Sequence, residues 1–302
     1  AVLAVMTLLG QDLLGSDKLA GVTAAAATLG TALAASQLAI RSRRRGRRSG
    51  IAAGYVVGAV GAGLGLVAGQ AGLFWVLVAA MFLFGAANAS NLQNRFAAAD
   101  LADDERRARD SALVVWVGTI GGVGGPILAR WANTTGQGFG LNEWIGPLVL
   151  GVIGTIAAAF VAHIRLRPDP LERAGGLDPS ARSRTPLDGV AEAGRSVSGV
   201  PTAKLALIAV ALSQTAMVAV MTMTPFHMGD HGHAEMSLLV MSLHVCGMFG
   251  LAPLVGRWAD QFGRVRMLVA GGLTLGSGTV MAVVAGYVPA LIFAGLFLLG
   301  LG

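Results

Sequence analysis

Charge is scarce in this sequence, and that scarcity excludes more than any single motif does. Of 302 residues only 13% are Asp, Glu, Lys or Arg, against about 25% in an ordinary soluble domain. A soluble core cannot absorb a chain that is 54% hydrophobic with a mean hydropathy of +0.68. A bilayer can, provided the backbone is helical or forms a closed barrel. The alternating pattern of barrel strands is absent. The apolar runs are long and continuous, so helices are the expected spanning elements. Cysteine occurs once, at Cys246, which excludes an internal disulfide framework. Carboxylates are missing from the middles of the apolar runs, since all 16 Asp and Glu sit at segment edges or in polar connections. That weakens coupling through a membrane-buried acid. No nucleophile–base pair and no three-ligand metal spacing stands in one segment, so neither covalent chemistry nor a cofactor is expected.

What is present is a series of ten apolar segments, near 1–9, 19–40, 51–70, 73–94, 111–131, 144–164, 203–226, 236–257, 267–286 and 289–302. Each complete one holds about 20 residues, enough to span at 1.5 Å per residue. The first and last are too short to cross ~30 Å of hydrocarbon. They read as partial helices, so the chain is expected to be cut at both ends.

The basic residues supply the orientation. Of 22 Lys and Arg, only Lys18 and Arg130 fall at odd-numbered connections. The others lie in or beside the connections after segments 2, 4, 6 and 8, with six between Arg41 and Arg48. The positive-inside rule places these even-numbered connections in the cytoplasm, as in a multi-pass cell-membrane protein, with a bacterial one expected. The same placement accounts for the +6 charge and pI near 10.6 without nucleic acid as a partner. Residues 165–200 are rich in Pro, Gly, Ser and Arg and read as a flexible cytoplasmic linker. They divide residues 1–164 from residues 201–302.

The connection after segment 8 runs Gly256-Arg257-Trp258-Ala259-Asp260-Gln261-Phe262-Gly263-Arg264-Val265-Arg266. It resembles the signature G-x-x-x-D-R-x-G-R-x-R of the major facilitator superfamily, departing only at Gln261. The connection after segment 2 carries a degraded copy, in which Gly46-Arg47-Arg48 matches but Arg43 stands at the acidic position. A motif recurring six helices apart points to two homologous halves. The resemblance implies an all-α bundle of two six-helix pseudosymmetric halves, with about ten of twelve helices present here. It implies a monomeric secondary transporter working by alternating access. It also implies that Gly256, Asp260, Gly263 and Arg264 latch one conformational state. Physically, Asp260 can accept hydrogen bonds from a helix N-terminus or pair with Arg264. Segment 5 adds Gly121-x-x-x-Gly125-Pro126, similar to a fifth-helix motif of proton-coupled drug exporters. Its expected role is close helix packing with a kink.

Four of five His and seven of eleven Met lie between positions 217 and 248. Met217 and Met221 share a face of segment 7, and His244 and Met248 share a face of segment 8, because residues four apart are helix neighbours. The two pairs overlap in depth. Three thioethers and an imidazole suit Cu(I) or a similar soft ion. The four positions resemble the Met-x-x-x-Met and His-x-x-x-Met pairs of CcoA-like copper importers, which implies a metal role for Met217, Met221, His244 and Met248. Helix filling by Met, and a His bonded to a carbonyl across a helix interface, account for the same residues without metal. The connection between these segments adds His231-x-His233 with Asp230 and Glu235, a possible entrance ligand set or a solvated turn. Asn88 and Asn91 in segment 4 are candidate cavity-lining residues, with cross-helix bonding as their other reading. His244 is the one group deep in a complete segment that titrates near neutrality, so it can carry protons instead of metal. The expected cargo is a small solute: a soft metal ion, or a hydrophobic organic compound exchanged for protons.

Overall fold

The computed structural model describes residues 6, 9, 17–142, 145–181, 186–230, 237–286 and 288–302. The described residues form helices and no strand. In chain order the helices are α1 Asp17–Arg45, α2 Arg47–Ala71, α3 Phe74–Leu101, α4 Arg107–Gly138, α5 Ile145–Arg165 and α6 Pro170–Arg173. They continue as α7 Pro186–Ser198, α8 Pro201–Asp230, α9 Ser237–Gly250, α10 Ala252–Phe262, α11 Arg264–Val284 and α12 Pro289–Leu301. Among the described residues, five stretches are long and apolar enough to cross a membrane: Val22–Arg45, Arg47–Ala71, Phe74–Leu101, Ile145–Arg173 and Arg264–Val284. Most of the expected segment 1 lies outside the described residues.

The helices group into two compact units. One comprises Ala1–Leu101 and Gly124–Ala193; the other comprises Ala102–Val123 and Gly194–Gly302. In the first, α2 and α3 pack most extensively, with α1 against α3 and α5 against α2. The reason is a row of small residues. Gly50, Gly54, Gly58, Gly61, Gly65 and Gly69 recur every three or four positions and are all buried. A Cβ at Gly61 would lie 2.5 Å from the Phe84 backbone nitrogen, so the α2 and α3 backbones touch where a side chain would hold them apart. Met6, Leu77, Met81, Ile145 and Leu148 fill the adjoining core. In the second unit, α12 packs on both α9 and α11. Gly278, a residue of α11, meets the α12 backbone in the same way, its would-be Cβ lying 2.5 Å from Leu299 N.

Large apolar side chains remain uncovered along the outer faces, among them Phe160 at 65% and Val283 at 78%. Such a surface is an aggregation hazard in water and the ordinary outer face of a helix in lipid.

Two expectations change. Segment 8 is not one continuous helix. It breaks at Leu251, between α9 and α10, with Pro253 at the second position of α10. Proline has no N–H to donate back to the preceding turn, so the ladder is interrupted there. The stretch 165–200, expected as a flexible linker, contains α6 and α7. Asp169 and Leu171 from it are buried in the first unit.

Candidate functional site

Both copies of the glycine–arginine motif end a helix on a single glycine in the same backbone conformation. Gly46 has φ 89° and ψ 157° between α1 and α2; Gly263 has φ 92° and ψ 144° between α10 and α11. Residues with a Cβ rarely adopt positive φ, so each Gly turns the chain sharply between two helices without a loop. The expected loops are therefore one-residue hinges.

Around these hinges the carboxylates are arranged differently. In the second unit Asp260 accepts hydrogen bonds from the backbone N–H groups of Ala108 and Arg109, at 3.1 and 2.9 Å. These are first-turn amides of α4, which lack partners within the helix and carry the positive end of its dipole. Gly256, one turn earlier on α10, is buried. A Cβ there would sit 2.7 Å from Ala112 Cβ and 2.9 Å from the Ala108 carbonyl oxygen. Glycine at 256 thus lets α4 lie on α10, and Asp260 ties the contact. Arg264 is exposed and takes part in none of the ion pairs among the described residues.

In the first unit, Arg43 holds the place equivalent to Asp260, three residues before the hinge. It pairs outward with Asp178 at 3.0 Å. A hydrogen bond from the Ser180 hydroxyl, with Arg43 adding, holds the Asp178 carboxyl below the usual range. The amides after the hinge are met instead by Asp169, which accepts from Arg47 N at 3.0 Å and Arg48 N at 2.9 Å. Asp169 also caps its own helix, accepting from Leu171 N at 3.0 Å. Arg47 completes the cluster with a 2.7 Å ion pair to Asp100, both side chains being largely buried. Sequence reading overlooked Asp169. Its signal was present in Asp169-Pro170, an N-cap followed by proline at the first helical position.

His244 is 2% exposed and lies against α12. Its Nδ1 is 2.9 Å from the Leu296 carbonyl oxygen. A carbonyl can only accept, so Nδ1–H donates, and Nε2 takes no part in that bond. Gly300 leaves room for the ring, since a Cβ there would come within 3.1 Å of Nδ1. Met217 on α8 and Met248 on α9 are half-buried. The side chain of Met221 lies outside the described residues, as do His231, His233 and Glu235. Cys246 is exposed, so it leaves α9 in a different direction from His244. No group of three His, Cys, Asp or Glu suited to a metal occurs among the described residues. Beside Leu296 is a pocket of about 340 Å³, lined by Val220, Thr224, Ala282, Val283 and Ile292. Its walls are apolar, with the Thr224 hydroxyl bonded back to the Val220 carbonyl at 2.8 Å.

The polar side chains of α3 are mostly committed to neighbouring helices. Asn88 donates to Thr31 Oγ1 at 3.3 Å, Ser90 to the Ile51 carbonyl at 3.0 Å and Asn94 to the Tyr55 hydroxyl at 2.8 Å. Gln93 meets the Ser42 hydroxyl at 3.4 Å. Asn88 thus takes the cross-helix reading, while Asn91 is exposed. Arg95 lies over the Phe96 ring, 5.1 Å from its centroid.

Among the described residues, nothing packs closely at Gly121. Gly121 is exposed, and a Cβ there would meet nothing within 4 Å. It lies just before α4 passes from the second unit to the first, at Val123 and Gly124. Gly125 is half-buried and helps line a pocket of about 270 Å³ with Pro147 and Gly151. The Pro126 side chain lies outside the described residues, and α4 runs through this position as one helix.

The apolar helices, the paired hinges and the small-residue packing describe a polytopic helical carrier. The profile of the Major Facilitator Superfamily matches residues 1–302, and the chain belongs to that superfamily, whose members carry small solutes across membranes. It is 35% identical over 308 residues to an uncharacterized MFS-type transporter, YddS, of Bacillus subtilis, covering 100% of this chain and 70% of the relative. A second Bacillus subtilis protein, the uncharacterized MFS-type transporter YdeG, is 34% identical across 98% of this chain and 69% of its own length. The riboflavin transporter RfnT of Brucella anthropi is 28% identical across 98% of this chain and 71% of its own length.

Proposed function

We propose that this protein is a secondary transporter of a small organic solute that works by alternating access, with the α10–α11 hinge as a conformational latch. The observation that carries this reading is the Asp260 carboxylate held on the first-turn amides of α4 beside Gly256. A tie made of two hydrogen bonds at a helix end forms and breaks as helices move, at modest energy. The motif residues Gly256 and Asp260 make that contact, Gly263 turns the chain at the end of α10, and Arg264 opens the next helix. The even-numbered connections face the cytoplasm, as the arginine distribution requires.

An organic cargo is favoured by the apolar pocket beside Leu296 and Thr224. The riboflavin transporter among the relatives carries an organic molecule. Uptake and efflux in proteoliposomes of the intact protein, against a panel including riboflavin and Cu(I), test the reading. Accumulation of an organic solute that is abolished by Val220→Trp, which fills the pocket, is expected. Transport of Cu(I) alone, or of nothing in either direction, overturns it.

One observation favours the copper reading as a second possibility. A His whose Nδ1–H is held by a carbonyl has its Nε2 oriented as a ligand, as in known metal sites, and Met248 lies one turn on. Copper uptake lost in both His244→Ala and Met221→Ala supports that site; uptake unchanged in both removes it.

A further inference from the structure

A second site lies beside the first hinge, at Gly46. At one end of the first unit is a pocket of about 540 Å³, where Arg41 and Arg45 from α1, Arg48 from α2 and His163 from α5 meet. Among the described residues its lining contains no carboxylate. The nearby acids have other partners: Asp100 takes Arg47, Asp178 takes Arg43, and Asp169 takes backbone amides. Arg41 is held in place, its Nε donating to both the Ser49 carbonyl and hydroxyl at 3.1 Å. The rest of the wall is largely apolar, formed by Ala52 and Ala53 and by Val56 and Val57, which lie more than two turns beyond Arg48 on α2. Both valines are exposed, as is Phe160 one turn before His163 on α5. A concentrated positive charge at the helix ends is thus continuous with an uncovered apolar face running along the same helices.

We infer that this pocket holds the headgroup of an anionic phospholipid, with its acyl chains lying along Val56, Val57 and Phe160. Guanidinium groups pair with phosphate oxygens through several N–H donors at once. A basic pocket between helix ends at the membrane surface recruits anionic lipid in this way. A soluble anion would use the arginines and leave the valine wall bare; a zwitterionic lipid would leave the charge uncompensated. That the lipid belongs to the cytoplasmic leaflet rests on the orientation proposed above. Binding itself does not.

The test uses the intact protein in phosphatidylcholine nanodiscs titrated with phosphatidylglycerol, with bound lipid read by native mass spectrometry after release. The wild type is expected to retain phosphatidylglycerol over phosphatidylcholine. Each arginine contributes about fivefold at a membrane surface, so Arg41→Gln, Arg45→Gln and Arg48→Gln together cost roughly a hundredfold in selectivity. The corresponding triple Lys variant keeps most of it, and Arg106→Gln, on an exposed residue outside the pocket, changes nothing. Equal phosphatidylglycerol retention in the triple Gln variant and the wild type overturns the assignment. So does displacement of the lipid by glycerol 3-phosphate in solution, which would mark a soluble-anion site. If the triple variant does not elute as a single species, Arg45→Glu alone carries the test, its two units of charge costing about 25-fold, and retention equal to wild type overturns the assignment. Inside-out and right-side-out vesicles, scored separately, distinguish failure of the orientation from failure of the site.

Discussion

Replacing Asp260 with alanine removes both acceptors of the α4 first-turn amides in one step. The cost follows from where those amides lie. Arg109 is exposed and Ala108 half-buried, so water re-solvates them when the carboxylate is gone. The loss is that of a helix N-cap, about 1–2 kcal/mol, and not the larger penalty of a buried charge left unpaired. If α4 rests on α10 in only one conformational state, that energy shifts the state ratio about fivefold to thirtyfold. Gly256→Leu tests the same contact by an independent route. Its side chain must displace Ala112 and the Ala108 carbonyl, whose atoms lie within 3 Å of a Cβ at that position. Spin labels at Glu105→Cys and Gln261→Cys, both exposed sites, in a Cys246→Ser background, report the separation by pulsed electron resonance. The wild type should give one dominant short distance. Both variants should add a longer population and change the ratio of the two transport directions. Distance distributions and transport indistinguishable from wild type in both variants would refute the latch.

Other outcomes follow from the same geometry. Asp169→Ala leaves three amides without their carboxylate at a buried site and should lower stability by about 2–3 kcal/mol, seen as a fall in melting temperature in detergent; an unchanged melt would contradict it. Gly85→Ala brings a Cβ 2.6 Å from the Ala27 carbonyl oxygen on α1 and should cost about 1–3 kcal/mol as overpacking, whereas Gly118→Ala, inside α4 and facing open space, should cost nothing and raise stability by up to about 1 kcal/mol in the same assay. The Asp178 carboxyl is more acidic folded than unfolded, so its contribution is complete at neutral pH and fades as pH falls from about 4 through the depressed value. Exchange protection of the Asp178 amide, which donates to the Arg43 carbonyl at 2.8 Å, should decline over that window after correction for intrinsic rates. In Asp178→Asn it should be weakened at every pH; protection in the wild type that persists well below the window would rule the tie out.

Much of the architecture was legible from composition alone. Low charge and continuous apolar runs leave helices in lipid as the consistent solution, because backbone polar groups cannot stay unpaired there. The second motif copy was legible too, because Gly and Asp at fixed spacing have distinct backbone and hydrogen-bonding uses. The site was harder to read. His244 and Met248 share a helix face by spacing, but spacing does not say which neighbour that face meets, and His244 meets α12. Asn88 looked equally suited to a cavity and to a helix seam until Thr31 was placed opposite it. Gly121 looked like a packing residue because glycine permits close approach, yet permission is not contact.

Local chemistry therefore determined what this chain is made of: helix lengths, the glycine hinges at 46 and 263, and the separation of basic connections from apolar spans. These depend on residues close together in sequence. Tertiary structure decided the partners: Asp260 with α4, Asp169 with α2, His244 with Leu296, and His163 with the arginines of α1 and α2. Those pairings join residues dozens to more than a hundred positions apart, and which amide or carbonyl a side chain reaches is settled only when the helices pack.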